Sequence, residues 1–217
     1  MYPLMLDVST RLIVIVGAGP VGMRKAQGVI DAGATRIRVV SLEFPSNVSP
    51  MIEKIVARFE PKHLQDAGLV FACTDQPQVN DAVVEEARRI GVLVNRADVD
   101  DELASDFSSP AVHRVGSIVI AAATSGVPGL ATQIRDELAG HIHPGWVKLS
   151  NAMAILRPII KGQPQLSPAL RKEIFKALAS VDAIHTIEQS DLGGLWSWLR
   201  AKFPELNELT ESQKRSI

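Results

Sequence analysis

Two segments of this chain combine residue types and spacing that suit chemistry on a bound dinucleotide. The first is Val16-Gly17-Ala18-Gly19-Pro20-Val21-Gly22, which lies between a strand-like apolar run and a helical stretch. The second is Val94-Asn95-Arg96-Ala97-Asp98, which puts one carboxylate just past a later apolar run. In an open α/β sheet the carboxyl ends of the strands face one crevice. The spacing therefore predicts that a dinucleotide and the acid/base group of Asp98 meet in that crevice.

The glycine-rich segment has the sequence context that phosphate binding requires. The apolar run 12–16 predicts a buried parallel strand, and residues 21–32 predict a helix. Gly17 allows a sharp turn, and Gly22 allows close packing of helix on strand. Gly19, followed by Pro20 and Val21, lets backbone N–H groups approach a pyrophosphate at the positive end of the helix. The alternative is a tight turn without a ligand, which this strand-turn-helix context disfavours.

The residues after the second predicted strand, 36–40, bear on the choice of cofactor. An acid that binds the adenosine ribose is expected about 20 residues beyond the glycines. Here Ser41 stands at the strand tip, followed by Leu42 and Glu43, and no Arg or Lys directly follows Ser41 to hold a 2′-phosphate. We therefore favour NAD over NADP, with a solvated loop acid as the alternative for Glu43.

Strands and helices alternate up to about residue 113, which is typical of a doubly wound sheet. The predicted strands are 12–16, 36–40, 58–60, 69–74, 92–94 and 117–122, and the predicted helices are 21–32, 46–57, 78–89 and 130–139. From Trp146 onward only helices are predicted, among them one capped by Ser167 and one that buries Trp196. The fold class is therefore α/β, a Rossmann-like doubly wound parallel sheet followed by a strand-helix region and an α-helical tail.

Composition is that of a soluble enzyme without a membrane span. The chain has 217 residues, 46% of them hydrophobic, a net charge of −1 and one cysteine. Near-neutral charge gives no general attraction to nucleic acid, and one cysteine excludes an internal disulfide. His141 and His143 are two residues apart and do not share a helix face, so no metal site is predicted. The start of the chain has no secretion signal, so we expect a cytoplasmic protein.

Five ordered segments together resemble a known family. They are Gly17-x-Gly19-x-Val21-x-x-Arg24-Lys25, Ala72-x-Thr74-Asp75 with Val79-Asn80, Val94-Asn95-x-Ala97-Asp98, Asp106-Phe107-x-x-Pro110-Ala111 with Arg114-x-Gly116, and Leu130-Ala131 with Ile134-Arg135. Over residues 3–150 the chain resembles the precorrin-2 dehydrogenase / sirohydrochlorin ferrochelatase family, the N-terminal type of siroheme synthase. We expect no methyltransferase module, which some relatives carry, within these 217 residues.

The resemblance implies an activity. The family oxidises precorrin-2 to sirohydrochlorin in siroheme biosynthesis and passes hydride to NAD⁺; some members also insert Fe²⁺ or Co²⁺ as a substrate metal. Loss of hydride from a saturated carbon also requires loss of a proton, so a positioned base helps. Asp98 matches the family's catalytic aspartate, and the alternative for it is a turn-capping Asp.

The resemblance also implies further site residues and an assembly. Thr74 and Asp75 match positions beside the nicotinamide, with a strand-end cap as the alternative role. Arg114 and Arg135 match cations suited to substrate carboxylates, and Thr124 and Ser125 match a polar turn of the substrate pocket. Arg96 is a further candidate cation from its residue type alone, since the family often has an apolar residue there. The alternative for all three arginines is a surface position with structural ion pairs. The family forms homodimers. We therefore predict a dimerisation and substrate-cleft region at 114–150. It follows an NAD-binding domain at 1–113 and precedes a helical region at 151–217.

Two other functions stay open at this stage. A non-catalytic NAD(H)-sensing regulatory module would bind the dinucleotide without needing Asp98 or a tetrapyrrole. A dehydrogenase of a small substrate would share the glycine turn, although the order of the later segments argues against it.

Overall fold

The computed structural model describes residues 2–97 and 105–208, and the chain forms two compact units that divide between Ser109 and Pro110. We call residues up to 109 the first unit and residues from 110 the second unit. The predicted first domain ends at residue 113, which lies in the first strand of the second unit. The roles predicted for 1–113, 114–150 and 151–217 remain predictions.

The first unit is a five-stranded parallel sheet with helices on its faces, as the sequence predicted. In chain order its elements are β1 (Leu12–Val16), α1 (Pro20–Asp31), β2 (Arg36–Ser41), β3 (Ile52–Val56), a 3₁₀ turn (Pro61–Leu64), β4 (Ala67–Ala72), α2 (Pro77–Arg89) and β5 (Val94–Arg96). The strand order is β3-β2-β1-β4-β5, with every pair parallel. This is the doubly wound order, which reverses direction at β1.

Apolar residues on both faces of the central strand explain this arrangement. All five residues of β1 are buried, because each face of the sheet is covered. On one face Ile13 and Ile15 pack in a cluster with Ala26 of α1. On the other, Val14 packs in a cluster with Val83 of α2.

The region between β2 and β4 corrects two predictions. The helix predicted at 46–57 is wrong: this segment contains β3, which pairs with β2 through Ile37↔Ile52. Pro50 interrupts the segment, and the residue before a proline disfavours helical backbone. The strand predicted at 58–60 is also wrong, since these residues lead into the 3₁₀ turn. The paired strand lies earlier in the chain because Ile52 supplies the buried apolar contact.

The second unit starts with a hairpin of which the sequence predicted only one strand. β6 (Ala111–Val115) pairs antiparallel with β7 (Ile118–Ala122), joined by a turn in which Gly116 has φ +56°. The Asn151 Oδ1 atom accepts a hydrogen bond from the Ser117 N–H at 3.1 Å and anchors this turn. β6 escaped notice because its run contains His113 and Arg114.

Helices make up the rest of the second unit, which confirms the predicted helical tail. They are α3 (Pro128–Gly140), α4 (Pro144–Lys161), α5 (Pro168–Leu178), α6 (Val181–Gln189), α7 (Leu192–Lys202) and a 3₁₀ turn (Pro204–Glu208). Trp196 is buried in the core of these helices, and the Ser167 hydroxyl caps α5 by accepting from the Leu170 N–H at 3.2 Å, both as predicted. No helix within the described ranges has the length and apolarity that crossing a membrane would demand.

Candidate functional site

The glycine turn lies where the strand order reverses. β1 is flanked by β2 and β4, and the residues after β1 and β4 touch there. Gly17 has φ +105°, and a Cβ at this position would lie 2.5 Å from the Cys73 carbonyl oxygen. The Gly17 N–H donates to the Val40 carbonyl at 2.8 Å. Only glycine combines this backbone conformation with this close approach.

The other two glycines of the turn have different surroundings: Gly22 is closely packed, whereas Gly19 faces open space. A Cβ at Gly22 would lie 2.0 Å from the Gly17 carbonyl oxygen, which confirms the predicted close packing of helix on turn. A Cβ at Gly19 would meet no atom within 4 Å. Gly19 is the N-cap of α1, followed by Pro20 and Val21, and neither a capping side chain nor an acid occupies the first helical turn. The positive end of α1 is thus open to an anion, which fits a pyrophosphate.

The residues predicted to lie near the adenosine follow β2. Ser41 is the last residue of that strand, and its carbonyl accepts from the Ala57 N–H at 3.1 Å. Leu42 is 55% exposed, and Glu43 is also exposed. Because β2 pairs with β1 in parallel, these residues lie at the same edge of the sheet as the glycine turn.

Thr74 and Asp75 follow β4 at that same edge. The Thr74 hydroxyl donates to Asn80 Oδ1 at 2.7 Å, and the Asn80 amide group donates back to the Thr74 carbonyl at 2.9 Å. The Asn80 side chain thereby joins the end of β4 to the first turns of α2. The Thr74 hydroxyl is engaged in this strand-end cap, whereas Asp75 is exposed.

The segment that leads to Asp98 is anchored to the sheet. The Ala97 N–H donates to the Ala72 carbonyl at 2.9 Å, so the β5 edge continues past Arg96. Asp98 itself lies outside the described residues. Arg96 forms an ion pair with Asp81 of α2.

The chain returns along the outer edge of β5 at residues 105–107, which we call the edge strap. The Ser105 hydroxyl accepts from the Arg96 N–H at 2.8 Å. The Asp106 carboxylate accepts from the Val94 N–H at 3.0 Å and from Arg88 at 3.2 Å, while the Asp106 N–H donates to the Val94 carbonyl at 2.9 Å. These bonds hold Ser105 and Asp106 against β5.

The edge strap also covers part of the α1 face of the sheet. The Phe107 carbonyl accepts from the Asn95 side-chain amide at 2.8 Å, and the Phe107 ring packs edge-on against Phe71 with centroids 5.4 Å apart. Asp106 and Phe107 belong to a predicted motif that gives no sign of these contacts. Asn80 does give a signal, because a polar residue stands there at the helical spacing of the apolar Val83 and Ala87.

The residues predicted to bind substrate lie in the second unit. Arg114 is on β6 and exposed. Arg135 pairs with the adjacent Asp136, its Nη2 atom 2.6 Å from the carboxylate. Thr124 and Ser125 follow β7, and the Thr124 hydroxyl donates to the Val127 carbonyl at 2.7 Å just before α3.

No three His, Cys, Asp or Glu side chains converge as metal ligands within residues 2–97 and 105–208. His143 is the N-cap of α4, where its Nδ1 atom accepts from the Gly145 N–H at 3.2 Å. The same ring nitrogen lies 3.3 Å from Glu188.

Comparisons with known proteins agree with this architecture. A family model for NAD(P)-binding domains matches residues 4–111. The chain is 33% identical over 168 residues to a siroheme synthase of Chromobacterium violaceum, covering 75% of this chain and 35% of that protein. It is 31% identical over 207 residues to siroheme synthase 2 of Aeromonas hydrophila, covering 91% of this chain and 42% of that protein. The chain therefore spans about two fifths, or less, of the length of these relatives.

A solved structure shares the fold along nearly the whole chain. The precorrin-2 dehydrogenase SirC superposes with a TM-score of 0.74 at 18% identity, over 93% of this chain and all of that chain. At this identity the likeness establishes the fold alone.

Proposed function

Because the chain belongs to the precorrin-2 dehydrogenase and siroheme synthase family, we propose that it oxidises precorrin-2 to sirohydrochlorin with NAD⁺ as hydride acceptor. The observation that carries the proposal is the open N-terminus of α1 at the point where the strand order reverses. There Gly17 and Gly22 are required for packing, whereas Gly19 leaves space for a phosphate group. The carboxyl ends of β4 and β5 border the same crevice.

The residues that follow β1, β2 and β4 are the proposed contacts of the three parts of the dinucleotide. The N-terminal N–H groups of α1 would hold the pyrophosphate, with Gly17, Gly19, Pro20 and Val21 forming the turn. Ser41, Leu42 and Glu43 would border the adenosine. A carboxylate at Glu43 suits ribose hydroxyls and repels a 2′-phosphate, which favours NAD over NADP. Thr74 and Asp75 would border the nicotinamide, which when bound accepts the hydride.

Asp98 is the base in this proposal. Ala97, the residue before Asp98 in the sequence, lies at the carboxyl edge of β5, where its N–H donates to the Ala72 carbonyl of β4 at 2.9 Å. A carboxylate there takes the proton that must leave the substrate carbon as the hydride departs. In a chelatase step, the same carboxylate would accept pyrrole protons as Fe²⁺ or Co²⁺ enters as a substrate.

Arg114, Arg135, Thr124 and Ser125 are the proposed substrate contacts of the second unit. Guanidinium groups suit the carboxylates around a tetrapyrrole. Arg114 is the stronger candidate, because Asp136 already pairs with Arg135.

Homodimerisation through residues 114–150 is the proposed assembly. The two strands β6 and β7 pack against α3, and no third strand joins them among the described residues. On α3, Leu130, Ile134 and Leu138 follow one another at helical spacing and are 45%, 39% and 50% exposed. An apolar stripe of this kind marks an interaction surface, and a second copy would cover it.

An anaerobic assay of purified protein with precorrin-2 and NAD⁺ tests the proposal. Asp98→Ala should lower turnover about 100-fold or more and leave NAD⁺ affinity unchanged. Asp101→Ala, in the same segment, is the matched control and should keep full turnover. NAD⁺ binding without turnover in the unaltered protein would point instead to a non-catalytic NAD(H)-sensing module.

A further inference from the structure

Lys25 of α1 directs its ammonium group toward the carboxyl edge of β4. The side chains of a helix lean toward its N-terminus, and the N-terminus of α1 lies at this edge. The Lys25 Nζ atom lies 5.7 Å from the centroid of the Phe71 ring, near the end of β4. It is also close enough to Cys73, the residue after β4, for the two groups to interact electrostatically.

This ammonium group is partly buried and has no carboxylate partner in the part of the chain that the structure describes. Burial lowers the pKa of Lys25, the Cys73 thiol opposes that shift, and Arg24 adds to it. The face of the Phe71 ring offers only a modest attraction to a cation. A desolvated cation in this position gains from an anion that arrives with a ligand.

Arg96, the last residue of β5, already pairs with Asp81 of α2. Lys25 lies on the α1 face of the sheet together with Phe71 and Phe107.

We propose that Lys25 binds a carboxylate of the tetrapyrrole at the carboxyl edge of β4. The proposal rests on the proposed function, which brings a carboxylate-rimmed substrate to this edge. The proposed pyrophosphate site is the open space at Gly19, after β1. The Lys25 ammonium group lies instead by β4, the strand whose end is proposed to border the nicotinamide. A substrate that gives up hydride must approach the cofactor from that side.

The test measures anaerobic binding of sirohydrochlorin, the product, from its absorption spectrum, and of NAD⁺ by calorimetry. Lys25→Met should weaken sirohydrochlorin binding about 10- to 100-fold and leave NAD⁺ affinity within about twofold. Lys25→Arg keeps the charge and should restore most of the sirohydrochlorin affinity. Lys62→Met is the matched control, because Lys62 lies before β4, at the opposite edge of the sheet, and should change neither affinity.

The outcomes separate this inference from the proposed function. Equal sirohydrochlorin affinity in the unaltered protein and in Lys25→Met would overturn the role of Lys25 alone. A loss of NAD⁺ affinity in Lys25→Met, with sirohydrochlorin affinity intact, would also overturn it and assign the ammonium to the pyrophosphate. Absence of sirohydrochlorin binding in the unaltered protein would count against the proposed function itself.

Discussion

Replacing Gly19 by alanine should weaken dinucleotide binding without unfolding the protein. Gly19 has φ −70°, a backbone conformation that alanine adopts readily, and the added Cβ would meet no protein atom within 4 Å. The methyl group would instead occupy the space through which backbone N–H groups approach a phosphate. The variant therefore separates access of the ligand from packing of the fold.

The size of the effect follows from the hydrogen bonds at risk. Losing one hydrogen bond to a charged phosphate costs about 1.5–3 kcal/mol, which weakens NAD⁺ binding about 10- to 150-fold. The free energy of unfolding should change by less than about 1 kcal/mol, the scale of an N-cap substitution. Calorimetric titration with NAD⁺ and urea unfolding measure the two quantities.

Gly28→Ala in the same helix is the matched control. Gly28 is exposed within α1, and a Cβ there also meets no neighbour within 4 Å. This change should stabilise the fold by about 0.5–1 kcal/mol and leave NAD⁺ affinity unaltered. A folded Gly19→Ala variant that binds NAD⁺ as tightly as the unaltered protein would refute the assignment of the pyrophosphate site to Gly19 and the N-terminus of α1.

Three further predictions concern the edge strap, a buried histidine and the apolar stripe of α3. Asp106→Ala removes the hydrogen bond from the Val94 N–H and the partly exposed ion pair with Arg88. In urea unfolding it should lower the free energy of unfolding by about 1–3 kcal/mol. Asp106→Asn keeps an oxygen that can accept from the Val94 N–H, so it should lower the free energy less; equal decreases would show that only the charge matters. Burial lowers the pKa of His63, so in acid the unfolded state binds more protons than the folded state. The contribution of His63 to the free energy of unfolding should therefore be complete above about pH 6.5 and decline as the pH falls further. His63→Asn should reduce that decline. Ile134→Glu should convert a dimer into monomers in sedimentation experiments, whereas unchanged mass would exclude this stripe as the interface.

Sequence reasoning predicted the first unit well where burial is two-sided and uninterrupted. The run at 12–16 and the glycines after it give β1 and α1 directly, because an apolar strand followed by a glycine turn has few other solutions. It failed at 46–57, where five residues form β3 by pairing with β2. Pairing partners that are distant in sequence leave little trace in a short, half-exposed strand.

The candidate site was predictable in its position but less so in its contacts. The residues after β1, β2 and β4 lie at one edge of the sheet, as strand polarity requires. The edge strap and the aromatic contact of Lys25 depend on side chains that meet across the fold, and no local spacing encodes them. The hairpin strand β6 was missed for a different reason, because His113 and Arg114 interrupt the apolar pattern of its run.

The stoichiometry of an anaerobic single turnover tests the central claim most directly. Protein, precorrin-2 and NAD⁺ are mixed, and NADH and sirohydrochlorin are measured together from their spectra. The account predicts one NADH for each sirohydrochlorin, with neither formed when NAD⁺ is omitted. Sirohydrochlorin formed by the protein without NADH, or precorrin-2 left unchanged beside bound NAD⁺, would contradict it.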